Sequence, residues 1–86
     1  MTVLSEFIAN VLSVLEVSLS SHTIEVEIRE KFVKFRVSIM RDGNLLSCTR
    51  VVDQNEIQFV QDRKAFADNV SGTIVMAFAN HPEVVT

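Results

Sequence analysis

The chain has 86 residues, 48% hydrophobic and 22% charged, with a formal net charge of −3. That length holds a single domain, residues 1–86, with a modest core. The acidic balance argues against nucleic acid or an anionic membrane as the main partner, and one cysteine excludes an internal disulfide, making the reducing cytoplasm the expected compartment.

The first residues lack the basic region of a signal peptide. Thr2 is placed to cap a helix, with Glu6 in its first turn near the positive dipole end. Leu4, Phe7, Ile8, Val11, Leu12 and Leu15 follow helical spacing and form one apolar arc. Glu6, Ser13, Glu16 and Ser20 lie opposite, interrupted by Val3, Val14 and Val17. The spacing predicts a helix over residues 3–18. Leu15, Val17 and Leu19 also alternate with polar residues, which is the pattern of a short strand. Ser20, Ser21 and His22 form the connection. The polar groups at Glu6, Asn10, Ser13 and Glu16 are too many for a bilayer span.

A β-meander follows. Ile24, Val26 and Ile28 alternate with Glu25, Glu27 and Arg29, and Val33, Phe35, Val37 and Ile39 alternate with Lys34, Arg36 and Ser38. Period-two alternation of this length marks half-buried strands. With Glu30 and Lys31 as the turn, Ile28 faces Val33, Val26 faces Phe35 and Ile24 faces Val37. On the other face Glu27 meets Lys34 and Glu25 meets Arg36. Opposite charges across a ladder each contribute roughly 0.2–1 kcal/mol, and a slip by one residue would move charge into the core. Asp42-Gly43 is a type I′ hairpin signal. Closing there pairs Met40 with Leu45, Ile39 with Leu46, Val37 with Cys48, Phe35 with Arg50 and Val33 with Val52. Both turns assign the same inward face, on which Arg50 is the one charge and snorkels near an edge. Cys48 is expected to be buried and structural.

Asp53 to Glu56 reads as an acidic cap or a turn, and Ile57 and Phe59 flanking Gln58 suggest a short fourth strand over residues 57–60. Asp62 then caps a final helix from Arg63 to about Asn80, with Phe66, Val70, Ile74, Ala77 and Phe78 inward. His81-Pro82 ends it, and Glu83 to Thr86 form a tail. The order is α-β-β-β-(β)-α, an α+β domain with both helices on one face of an antiparallel sheet.

Little here carries chemistry. His22, Cys48 and His81 are too dispersed for a metal site or a Cys–His pair. Glu25 and Glu27 share a face, but each has a cation opposite that keeps it ionised, the reverse of a general acid's environment. Neither glycine belongs to a phosphate-binding loop. No enzymatic activity and no cofactor are expected. The helix–three strands–helix order is similar to that of double-stranded-RNA-binding domains, a likeness of order alone. Arg63 and Lys64 open the final helix where such a domain is basic, which makes a nucleic-acid-binding module the alternative reading. Asp62 and Asp68 flank that pair, and no basic stripe interleaved with aromatics is present.

Protein contact has positive signals. Met40 and Leu45 pair on the outward face, Val51 lies further along the third strand, and Phe32 breaks the alternation beside the turn. Ala65, Gly72 and Ala79 recur every seven residues on the outer side of the final helix, flanked by Val75 and Met76. Glycine inside a helix costs roughly 0.5–1 kcal/mol relative to alanine. The expected function is a small non-enzymatic protein acting through protein–protein contact, self-associating as a homodimer. Accessory, inhibitor or assembly factors of phages and mobile elements fit this size.

Overall fold

A computed structural model describes residues 2–19 and 22–79. The elements are α1 (Val3–Ser18), β1 (His22–Ile28), β2 (Phe32–Arg41), β3 (Asn44–Asp53), α2 (Gln54–Phe59) and α3 (Arg63–Ala79). The fold is α+β, with one open antiparallel sheet of order β1-β2-β3. His81-Pro82 and the tail lie outside the described residues.

The expected register is observed throughout. Glu25 lies opposite Arg36, Glu27 opposite Lys34 and Val26 opposite Phe35. Ile39 lies opposite Leu46, Val37 opposite Cys48 and Phe35 opposite Arg50. Asp42 and Gly43 take φ of 53° and 79°, the two positive values that a type I′ turn requires. The turn at Glu30-Lys31 closes with the Arg29 N–H donating to the Phe32 carbonyl at 2.9 Å. Gln54 fastens that turn from outside the hairpin. Its backbone N–H donates to the Lys31 carbonyl, and its side-chain amide donates to the Arg29 carbonyl.

The inward row of β2 is the floor of the core. Val33, Phe35, Val37 and Ile39 are buried there beneath Phe7, Val11 and Leu15 of α1 and Ala67, Val70, Ile74 and Phe78 of α3. Phe7 joins the layers, with its ring centroid 6.3 Å from Phe35 and 5.4 Å from Phe66. α1 begins as expected, with the Thr2 hydroxyl accepting the Ser5 N–H at 3.1 Å, and it stays helical to Ser18. Asp62 caps α3 by accepting the Ala65 N–H at 3.0 Å.

Four expectations are corrected. Residues 57–60 form no fourth strand: Gln54–Phe59 is a helix. Asp53 caps it, accepting the Asn55 N–H at 2.7 Å, and Glu56 stands in its first turn. Residues two apart on a helix point about 200° apart, so Ile57 enters the core while Phe59 turns to solvent. Ala77 is exposed, and Ala67 and Ser71 take the inward positions on α3. Ser71 tolerates full burial because its hydroxyl donates to the Ala67 carbonyl at 2.8 Å. Cys48 faces inward but is only half-buried, because β3 is an edge strand. Ile28 pairs with Val33 as expected yet stays exposed at the corner of β1.

Replacing Phe7 by alanine removes the ring that joins α1 to both the sheet and α3. Chemical denaturation should show a loss of about 3–5 kcal/mol, the range for large-to-small changes in a packed core. A loss below about 1 kcal/mol would contradict this role.

Candidate functional site

The outward face of the sheet is built by the pleat: residues that alternate with the core row must point away from it. From the turn at Glu30-Lys31 to the turn at Asp42-Gly43 it carries successive cross-strand rows. These are Arg29, Phe32 and Asp53; then Glu27, Lys34 and Val51; then Glu25, Arg36 and Thr49; then Thr23, Ser38 and Ser47; and last Met40 with Leu45. Among the described residues no helix covers these rows. Leu45 is 66% exposed, Met40 56% and Val51 50%, whereas Phe32 is half-buried.

The charges on this face neutralise one another. Glu27 accepts from Arg29 at 2.6 Å and lies 3.5 Å from Lys34. The Arg29 hydrogen bond, reinforced by the two positive charges, holds the Glu27 carboxyl below its ordinary range despite some desolvation. Glu25 and Arg36 lie opposite without closing an ion pair. The Ser38 and Ser47 hydroxyls are 2.9 Å apart.

The candidate residues fall into separate groups. Met40 and Leu45 sit at one end of the outward face, and Phe32 and Val51 at the other. Leu45 and Val51 are six strand residues apart, about 20 Å at 3.3 Å per residue. Ala65, Gly72, Met76 and Ala79 share the outer side of α3, where Met76 is 58% exposed, while Val75 is half-buried against the core. A Cβ added at Gly72 would meet nothing within 4 Å, so close packing inside one copy does not require glycine there. Val17, 90% exposed, lies on the polar side of α1 as expected, whereas Phe59, 78% exposed, was not anticipated as a surface residue. The signal for Phe59 was available in the Asp53 cap, which sets the phase of α2.

The remaining polar residues are engaged structurally. Arg63 donates to the Ile57 and Gln58 carbonyls at 3.0 and 2.9 Å, satisfying the C-terminal end of α2. Lys64 lies 3.3 Å from Asp68, and Arg41 donates to the Phe78 carbonyl near the end of α3. Both cations at the start of α3 therefore have intramolecular partners. The His22 ring donates from Nδ1 to the Leu19 carbonyl at 3.0 Å. His22 and Cys48 are two strands and two rows apart, roughly 12 Å by strand geometry, so they form no nucleophile–base pair. A shallow groove of about 290 Å³ separates α1 from the β1 edge, lined by Leu12, Glu16, His22, Ile24 and Val26. Among the described residues no three His, Cys, Asp or Glu side chains gather into a metal-binding group. No helix of the described residues is long and apolar enough to cross a membrane.

Partial burial raises the Cys48 thiol above its ordinary value, and nearby Arg50 offsets this only in part. Because the thiolate is the nucleophile, Cys48 should react more slowly with a maleimide at neutral pH than after denaturation. Unfolded thiols deprotonate first, so the stabilisation is full below the unfolded pKa and is lost as pH rises through the folded one. Labelling of the native chain as fast as the denatured one would contradict this. At Gly72, alanine has room and is the better helix former, so Gly72→Ala should raise stability by about 0.5–1 kcal/mol in thermal unfolding.

Comparison of the chain with protein-family models, with curated proteins and with solved structures finds no match.

Proposed function

We propose that this chain is a non-enzymatic binding protein of the cytoplasm that works by protein–protein contact and self-associates. The observation that carries this reading is the one-sided sheet, whose uncovered face exposes Met40, Leu45 and Val51. Exposed apolar residues are normal singly and point to an interface when they can join. The outer side of α3, with Ala65, Gly72 and Met76, is a second surface open to a partner. The charge distribution supports protein over nucleic acid. Arg63 and Lys64 are already bonded, the sheet face is charge-paired, and the net charge is −3. Small accessory, inhibitor and assembly factors act in this way, without a cofactor.

The test is affinity capture from source-cell lysate in nuclease-treated and untreated arms, repeated across salt concentrations. Capture of a protein that survives nuclease and weakens little with salt is expected. Capture that vanishes with nuclease and falls steeply with salt, as phosphate neutralisation demands, would replace this reading by nucleic-acid binding.

A further inference from the structure

We infer that two copies pair through β3, antiparallel and centred on Cys48, extending the sheet across a two-fold axis. This rests on the self-association proposed above and names its surface. β3 is one of the two sheet edges. Edge strands that must stay single are ordinarily guarded by charge, proline or a bulge. β3 has no proline or bulge and a single charge along its middle, Arg50 on the inward row: its outward residues Leu45, Ser47, Thr49 and Val51 are uncharged, and its ten residues pair with β2 without interruption.

Charge distinguishes the two edges. On β1 the outward row holds Glu25 and Glu27. Symmetric pairing of β1 centred on Glu25, Val26 or Glu27 sets a glutamate opposite a glutamate, which is destabilising. Pairing of β3 centred on Cys48 sets no like charges opposite one another. It places Leu45 opposite Val51 of the second copy and Ser47 opposite its Thr49, and symmetry makes each match twice. Leu46 then meets the aliphatic stem of Arg50 on the inward side. Leu45, with Met40 beside it on β2, becomes a neighbour of Val51 across the axis, whereas Phe32, which lies opposite Asp53, stays two strands away.

The inward side is compatible with this arrangement. Phe66 turns one side of α3 toward Phe7 of α1. By helical phase the side bearing Val75 and Ala79 is turned away from α1, toward the β3 flank. That side of α3 approaches its own copy across the same axis.

A charge-swap series tests the pairing by sedimentation equilibrium of the full chain, with thermal unfolding to verify each fold. Both substituted positions are exposed, and Val51→Glu stands opposite Lys34 in its own sheet, so the fold tolerates it. The native chain should dimerise. Leu45→Lys alone, or Val51→Glu alone, should weaken the dimer about tenfold, because symmetry counts each change twice. Combining both in one chain should restore it to within about threefold, since each new lysine faces a glutamate of the other copy. The two positions are too far apart in one copy for an internal rescue. Single variants that leave dimerisation unchanged, or a double variant no better than the weaker single one, would overturn β3 pairing and leave self-association through another surface standing. A native chain that stays monomeric would overturn both.

Discussion

Pleat parity is the constraint on which this molecule depends. Successive side chains of a strand point to opposite faces, so one register decision assigns every residue of the meander to core or solvent. The positive φ values at Asp42 and Gly43 fix β2 against β3, and the Glu27–Lys34 pair agrees with the register of β1 against β2. Once the register is set, β2 presents four buried apolar residues on one side. α1 and α3 have one face to cover, and Phe7 touches both the sheet and α3. The other face remains open because it is polar and charge-paired. Among the described residues the meander has three strands, which leaves β1 and β3 as free edges.

The meander was legible in the sequence because its signals are local and mutually reinforcing: alternation, a turn dipeptide and cross-strand charge. α2 was not, because Ile57 and Phe59 imitate a period of two over a segment too short to separate strand from helix. The cap at Asp53 decides the matter, together with the Arg63 bonds that close the far end of the helix. The phase of α3 was misread at Ala77 because alanine and serine carry little hydrophobic signal. Ser71 is buried through a bond to its own helix, which no hydropathy pattern displays. The half-burial of Cys48 and the exposure of Ile28 reflect how far the helices reach over the sheet, a tertiary quantity. The Gln54 tie to the first turn is likewise invisible until both segments are in place.

The candidate surface was readable residue by residue and not as an arrangement. Met40, Leu45, Val51 and Met76 are exposed, as their positions in the pattern imply. Their separation into spots at opposite ends of the sheet follows only from the register. That separation changes the functional argument. Among the described residues one copy has no continuous apolar patch on its outward face, whereas the proposed pairing at β3 would bring Leu45 of each copy beside Val51 of the other. The basic start of α3, the feature nearest to a nucleic-acid-binding module, is occupied in capping α2 and in pairing with Asp68.

The most direct measurement of the central claim is residue-resolved amide hydrogen exchange at several protein concentrations. β2 is bonded on both sides, so its amides should be protected at every concentration. The amides of β3 that do not bond to β2 should exchange rapidly in dilute solution and gain protection as concentration rises, while β1 edge amides remain unprotected. Free β3 amides whose exchange ignores concentration, or protection that grows on β1 instead, would contradict the account.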